Sequence, residues 1–241
     1  PKDYPELDFK RMNIFLVEAS PRTLNVMADV SARKSQQYLE EMGVIVKTST
    51  QVKDYDGKLV YLGDGSTIRA NTLIWAAGVV GPKIEGINPE IYVRGNRIKV
   101  DQFNKAEGYE DIFVIGDIAM MVEAQYDKGH PQLAQPAMQQ GKNLAQNFMR
   151  ALKGKEWKPF HYKDLGSMAT VGRNLAVVEL PWIKFQGFFA WVVWMVVHLM
   201  SIVGVKNRLF IFINWVWNYF TYDQSLRLIL KPKEKVISAK G

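Results

Sequence analysis

Cysteine is absent from the 241-residue chain. That absence excludes disulfide frameworks, thiolate metal sites and cysteine nucleophiles, and is compatible with a reducing compartment. Histidine is scarce as well: His130, His161 and His198 are scattered, so no group has metal-ligand spacing. No Gly-x-Ser-x-Gly elbow, His-Glu-x-x-His helix or P-loop occurs, which excludes the chemistries those motifs carry. No charged segment leads into an apolar one near the start, so a secretory signal is not expected. Internal repeats are lacking too.

What is present is the composition of a folded protein. At 48% hydrophobic and 23% charged residues, a disordered tail or low-complexity filament is ruled out, and the length suits one large domain or two small ones. The net charge of +7 is unevenly placed: residues 181–241 hold Lys184, Lys206, Arg208, Arg227, Lys231, Lys233, Lys235 and Lys240 against Asp223 and Glu234. Five of the seven tryptophans (Trp182, Trp191, Trp194, Trp215, Trp217) lie in that same stretch. Cations joined to aromatics point to an anionic, partly apolar partner, and a membrane face fits best. Nucleic acid is not expected, because the cations flank the aromatics instead of alternating with them as a base-stacking groove requires.

The pattern along the chain is α/β. Asn13 to Ala19 reads as a buried strand, Ser20-Pro21-Arg22-Thr23 as a turn and helix start, and Leu24 to Met42 as a helix capped by Gly43. Val44 to Thr48 reads as the next strand, completing a βαβ unit. Asp56-Gly57 and Asp64-Gly65 predict tight turns around a strand at Leu59 to Leu62, an antiparallel meander. Further strands are expected at Thr72 to Ala76, Arg97 to Val100 and Ile112 to Ile115, with Asp101 as a turn former. The apolar face of Pro136 to Leu152 predicts a helix ending near Gly154. Gly166 to Glu179 reads as a hairpin around Gly172-Arg173-Asn174. Gln186 to Val205 is twenty residues without a formal charge, enough by count to cross a bilayer, and Leu209 to Tyr222 is a second uncharged run of fourteen. Asn207, Asn214, Asn218 and Thr221 align on one side at helical spacing, so an interfacial orientation is favoured over a spanning one.

Several positions carry candidate chemistry. Glu18 closes an apolar strand before a helix, where an acid accepts hydrogen bonds from adenosine ribose hydroxyls and repels the extra phosphate of NADP. The glycine-rich loop that should accompany it lies about 20 residues upstream, and only seventeen residues precede Glu18. Trp75-Ala76-Ala77-Gly78 ends a strand in small residues, which lets backbone at Ala77 and Gly78 approach a flat ligand; tight strand-to-loop packing explains the pattern equally well. Ile112 to Asp117 ends in Gly116-Asp117, a carboxylate beside a residue without a side chain, suited to a ribityl or ribose hydroxyl. Ala134 opens a helix whose N-terminus favours an anionic ring edge. Gln135 and Gln139, four apart on one face, could hold a quinone carbonyl, or simply face solvent. His198 reads as a satisfied interfacial histidine.

The ordered segments LVEASPR, GDGSTIRANTLIWAAGV, DIFVIGD, AQPAMQQGK, YKDLGSMATVGR and GFFAWVVWMVVHL resemble the type II NADH dehydrogenases, flavoproteins that pass electrons from NADH to membrane quinone without pumping protons. The Ala-Gln-x-Ala-x-Gln-x-Gly run from Ala134 to Gly141 is the most specific of them. The resemblance covers nearly the whole chain and corresponds to the family's C-terminal portion. It implies a partial two-dinucleotide-binding-domain, Rossmann-like fold: residues 1–96 as the later part of an NADH domain, 97–180 as the later part of an FAD domain with a quinone-site helix, and 181–241 as amphipathic membrane-anchoring helices with a basic tail. It places Glu18 toward NADH, Asp117 against FAD, and Gln135 with Gln139 beside flavin and quinone. It further implies peripheral attachment to the cytoplasmic face of the cell membrane and admits a homodimer. Two departures stand out. The family's two glycine-rich loops are not in this chain, and Leu165 precedes Gly166 where the family often has Lys, with Lys163 two positions earlier. The rival expectations are another quinone-reducing flavoprotein, such as a sulfide:quinone oxidoreductase, whose chemistry uses cysteines, or a non-catalytic membrane-binding module.

Overall fold

The structure, a computed structural model, describes residues 8 and 12–221. Strand β1 (Ile14–Val17) lies parallel to β2 (Val44–Lys47), with Ile14 opposite Val44, and helix α1 (Asp29–Glu41) makes the crossover. The helix begins later than the Ser20 to Thr23 signal predicts. Arg22 donates to the carbonyls of Asn25 and Met27, and Leu24 adopts φ 46°, so residues 20–28 close a turn of their own. Helical bonding starts only where the Ala28 N–H finds the Glu179 carboxylate, 2.9 Å away.

Strands β3 (Val52–Tyr55), β4 (Leu59–Leu62) and β5 (Thr67–Arg69) form the expected meander. Its turns follow from sequence: Asp56 accepts from the N–H groups of Lys58 and Leu59, and Asp64 from that of Ser66, while Gly57 and Gly65 supply positive φ. Val60, Leu62 and Ile68 make the core here, with Phe15 and Val17 of β1 packed on it.

Two expected strands do not form as drawn. Thr72 to Ala76 is irregular, with Ile74 83% and Trp75 64% exposed, and no strand among the described residues pairs with it. An apolar run becomes a strand only through a ladder partner, and periodicity cannot supply one. Ile112 to Ile115 is extended but held by scattered bonds, chiefly Val114 N–H to the Asn104 carbonyl, with the buried Asn104 amide donating back to Val114. It borders a small sheet of β6 (Tyr92–Val93), β7 (Arg97–Lys99) and β8 (Ala119–Met120), whose core is Ile91, Ile98, Ala106, Val114 and Ala119. Asp101 is the expected turn former, accepting from the N–H groups of Phe103 and Lys105.

Helix α2 (Ala134–Ala151) matches its prediction, as does the hairpin of β9 (Ser167–Thr170) and β10 (Ala176–Leu180), which β11 (Ile183–Gly187) extends antiparallel. Helix α1 packs on β10 and β11, and α3 (Phe188–Ser201) packs back on the same sheet through buried Ala190. A break at Ile202–Gly204 separates α3 from α4 (Val205–Thr221). That break divides the uncharged run counted as a span, and no described helix is long and apolar enough to cross a membrane. Of the basic tail, Arg227, Lys231, Lys233, Lys235 and Lys240 lie outside the described residues.

Candidate functional site

The Gly116–Asp117 turn and the N-terminus of α2 are built together. Gly116 takes φ 74°, and a Cβ there would stand 3.4 Å from Ala137, so the turn rests directly on the first turns of the helix. Its N–H donates to Gln140 Oε1 at 2.7 Å, and Gln132 donates to the Asp117 carbonyl at 3.1 Å. The Asp117 side chain is exposed. Leu133 precedes the helix and offers no side-chain cap, and Ala134 is exposed, so the first N–H groups and the positive end of the helix dipole lie open next to the turn that carries Asp117. Arg97 stands behind this turn. Its guanidinium donates to the carbonyls of Ala119 (2.6 Å) and His130 (2.9 Å); burial lowers its pKa, and the charge of Asp117 opposes that shift.

Gln135 and Gln139 do share a face, but their amides are spoken for. Gln139 donates to the Lys163 carbonyl (2.9 Å) and accepts from the Lys163 N–H (3.0 Å). Gln135 donates to the Gly166 carbonyl (2.9 Å) and accepts from the Leu165 N–H (3.3 Å). Two turns on, Asn147 holds both backbone groups of Lys158 in the same way, each at 2.9 Å. Three side-chain amides along α2 thus pin residues 158–166 in the manner of a neighbouring strand, running opposite to the helix. Lys163, which departs from the family pattern, is held here through its backbone.

Sequence reading missed a buried polar chain beneath this clamp. His130 is 2% and Gln140 1% exposed, with His130 Nδ1 3.4 Å from Gln140 Nε2 and His130 Nε2 3.2 Å from Glu123 Oε2. The latter approach is a charge contact off the N–H direction, leaving Nε2 without an aligned acceptor. Exposed His161 approaches the other Glu123 oxygen at 3.4 Å. Tyr126, Phe160 and Tyr162 surround the His130 ring with centroids 5.2, 5.4 and 5.5 Å away. Burial first, then the charge of Asp164, pushes the Tyr162 phenol up to about 12; burial and Asp164 also raise Tyr126, so both rings stay uncharged. Glu123, His130 and Gln140 lie seven and ten residues apart across turns, so no single helix or strand brings them together.

The other expected positions lie elsewhere. Glu18 follows β1 directly, accepting from the Ser20 N–H at 2.7 Å, with its backbone bridging to Lys47 and Thr50. Ala77 and Gly78 sit on the exposed loop that replaces the expected strand, Gly78 at φ 96°. Three residues later Gly81 packs against Ile118, so this loop leads toward the Asp117 turn. His198 is satisfied as expected, stacked on Trp194 and bonded to its carbonyl at 2.7 Å.

The sequence matches the family model described as pyridine nucleotide-disulphide oxidoreductase over residues 8–141 and that described as NDH2 C-terminal domain over residues 165–222. The chain belongs to the type II NADH dehydrogenase group of the pyridine nucleotide-disulphide oxidoreductases. The type II NADH:quinone oxidoreductase NdhA of Mycobacterium tuberculosis is 32% identical over 84% of this chain and 44% of its own length. The Staphylococcus aureus type II NADH:quinone oxidoreductase is 34% identical over 70% and 42%. The chain therefore spans under half the length of these relatives. The structure of NDH2 from Plasmodium falciparum in complex with NADH superposes with a TM-score of 0.79 at 17% identity, covering 90% of this chain and 60% of that one, a likeness of fold. Within the type II NADH dehydrogenase fold the α2 clamp links the two matched regions, since its partner segment ends at Gly166 as the second match begins.

Proposed function

We propose that this chain is the carboxyl-terminal portion of a membrane-associated flavoenzyme that oxidises NADH, carries the electrons on FAD and reduces quinone without pumping protons. The single observation that carries the reading is the exposed Asp117 in a turn packed on the first turns of α2, whose N-terminus has no side-chain cap. That donor set suits a flavin: Asp117 would accept from a ribityl hydroxyl, Gly116 leaves room for close approach, and the N–H groups at Ala134 and Gln135 would face the ring edge that becomes anionic on reduction. A bound flavin would supply the two-electron redox chemistry. Glu18 would orient the adenosine ribose of NAD(H), with the Ala77–Gly78 loop approaching the cofactors from the side. The division into residues 1–96, 97–180 and 181–241 goes with this reading.

Gln135 and Gln139 act in it chiefly by shaping the acceptor pocket, since each already holds backbone of residues 163–166. Each amide retains one N–H and one lone pair that could meet a quinone carbonyl. Attachment to the cytoplasmic face of the membrane through α3 and α4 would bring that pocket to where an oily acceptor travels. The full polypeptide that contains this sequence, expressed with its upstream region, is expected to be yellow and to oxidise NADH with a quinone analogue. Gln135→Ala or Gln139→Ala in it should lower quinone reduction more than flavin content. A colourless product would favour the non-catalytic module, and equal loss of both signals would remove the glutamines from the acceptor side.

A further inference from the structure

A buried imidazole that the proposed redox reaction does not use stands two hydrogen bonds from the turn assigned above to the flavin. The connection has a fixed polarity. The Gly116 N–H can only donate, so the Gln140 atom 2.7 Å from it is the carbonyl oxygen, and the Gln140 NH₂ must point at His130 Nδ1. Nδ1 must then accept, which puts the imidazole proton on Nε2, 3.2 Å from a Glu123 oxygen that lies off the N–H direction. Gln140 is buried, so water does not offer it other partners.

We propose that His130, acting through Gln140, is a positioning residue for the Gly116–Asp117 turn, and that adding a proton at Nδ1 reverses the amide and withdraws its support from that turn. With both ring nitrogens protonated, Nδ1–H needs an acceptor, and the only amide atom that can serve is the oxygen now held by Gly116. Turning the amide to meet it sets an NH₂ against the Gly116 N–H, two donors facing each other in a buried site, and the turn must shift to relieve them. Glu123 is the anion nearest the ring, with Oε2 3.2 Å from Nε2, and exposed His161 lies 3.4 Å from its other oxygen. Of the remaining neighbours, Tyr126 and Tyr162 are uncharged phenols and Phe160 is apolar, the Arg97 guanidinium is a cation held at the His130 carbonyl, and Asp164 is an anion beyond the two tyrosines. This rests on the reading of Asp117 as a flavin contact.

The test is FAD affinity against pH in the full-length flavoprotein, followed by flavin fluorescence on release, with no turnover involved. The apparent Kd should rise about tenfold, the scale of one buried hydrogen bond, as the solution is acidified from pH 8. His130→Asn keeps an acceptor at the Nδ1 position but cannot take a proton, and should flatten that step while binding FAD normally at pH 8. Glu123→Gln removes the anion and should move the step to lower pH. An unchanged step in His130→Asn overturns the proposal. Should that variant lose flavin at every pH, Glu123→Gln decides, and a step that does not move overturns it equally. A wild-type protein that binds FAD with no acid step sinks this inference alone, whereas one that binds no FAD sinks the functional reading with it.

Discussion

The segment from β7 to Gly166 and the helices that end the described chain invert the usual rule in opposite directions. The former buries polar side chains: Asn104, His130, Gln140 and Asn147 are all enclosed. The latter exposes apolar ones, among them Phe189, Leu209, Phe212, Trp217 and Phe220, and α4 has no buried residue at all. Hydrophobicity alone decides neither placement. The amides go inside because backbone groups meet them, the Val114 carbonyl at Asn104, the Gly116 N–H at Gln140 and both groups of Lys158 at Asn147, which offsets most of the cost of burial, though the Asn104 oxygen is left without a partner. Large apolar side chains on α4 stay outside because the described residues offer them no second layer. Each would gain on the order of 1.5–3 kcal/mol on leaving water, which is what a bilayer surface provides.

The sharpest way to break this contrast is Asn147→Ala. It strands the N–H and C=O of Lys158 together and should lower stability by about 3 kcal/mol, read as a shift in denaturant midpoint with unchanged slope. A shift below half that size would mean that water replaces the amide and that the clamp is not a true interior. On the other side, Trp217→Ala should weaken sedimentation of the chain with anionic phospholipid vesicles by about tenfold while leaving the unfolding midpoint where it was. If instead the midpoint falls and vesicle binding holds, α4 is packed on protein, through a second copy or another part of the polypeptide. The smallest effect belongs to Tyr162. Its folded-state pKa is raised from 10.0 to about 12, so the stability that goes with the neutral phenol is complete below pH 10 and is lost as the pH climbs toward 12. Tyr162→Phe should therefore show a shallower alkaline decline in melting temperature than the wild type. Parallel declines would mean that the ring is wetter than its surroundings imply.

Which parts were legible in the sequence follows from the range of the interactions that make them. The meander turns are set by Asp56, Gly57, Asp64 and Gly65 acting within four residues of themselves, and α2 by its own period, so both could be read directly. The four-residue spacing of Gln135 and Gln139 showed that they share a face, but not that the face is covered by residues 24 to 31 positions further along the chain. Thr72 to Ala76 carries strand composition without a partner, and pairing is a property of two segments. Strands β6 and β8 are two residues each, below what alternation can reveal. The chain from Glu123 through His130 to Gln140 was invisible because turns, not a repeating element, bring its members together.

The amide clamp has one further consequence. Gln139 and Asn147 lie four and twelve residues beyond Gln135 on α2, so the three side chains emerge over about 120° of the helix surface. Deleting one residue between the first two would swing the later members by about 100° and draw them back by about 1.5 Å, and every downstream tooth would miss its slot at once. Length changes in this helix are thus quantised: losses or gains near whole turns can be absorbed by sliding the facing segment, while single-residue indels unzip it. The helix serves as a ruler as well as a wall.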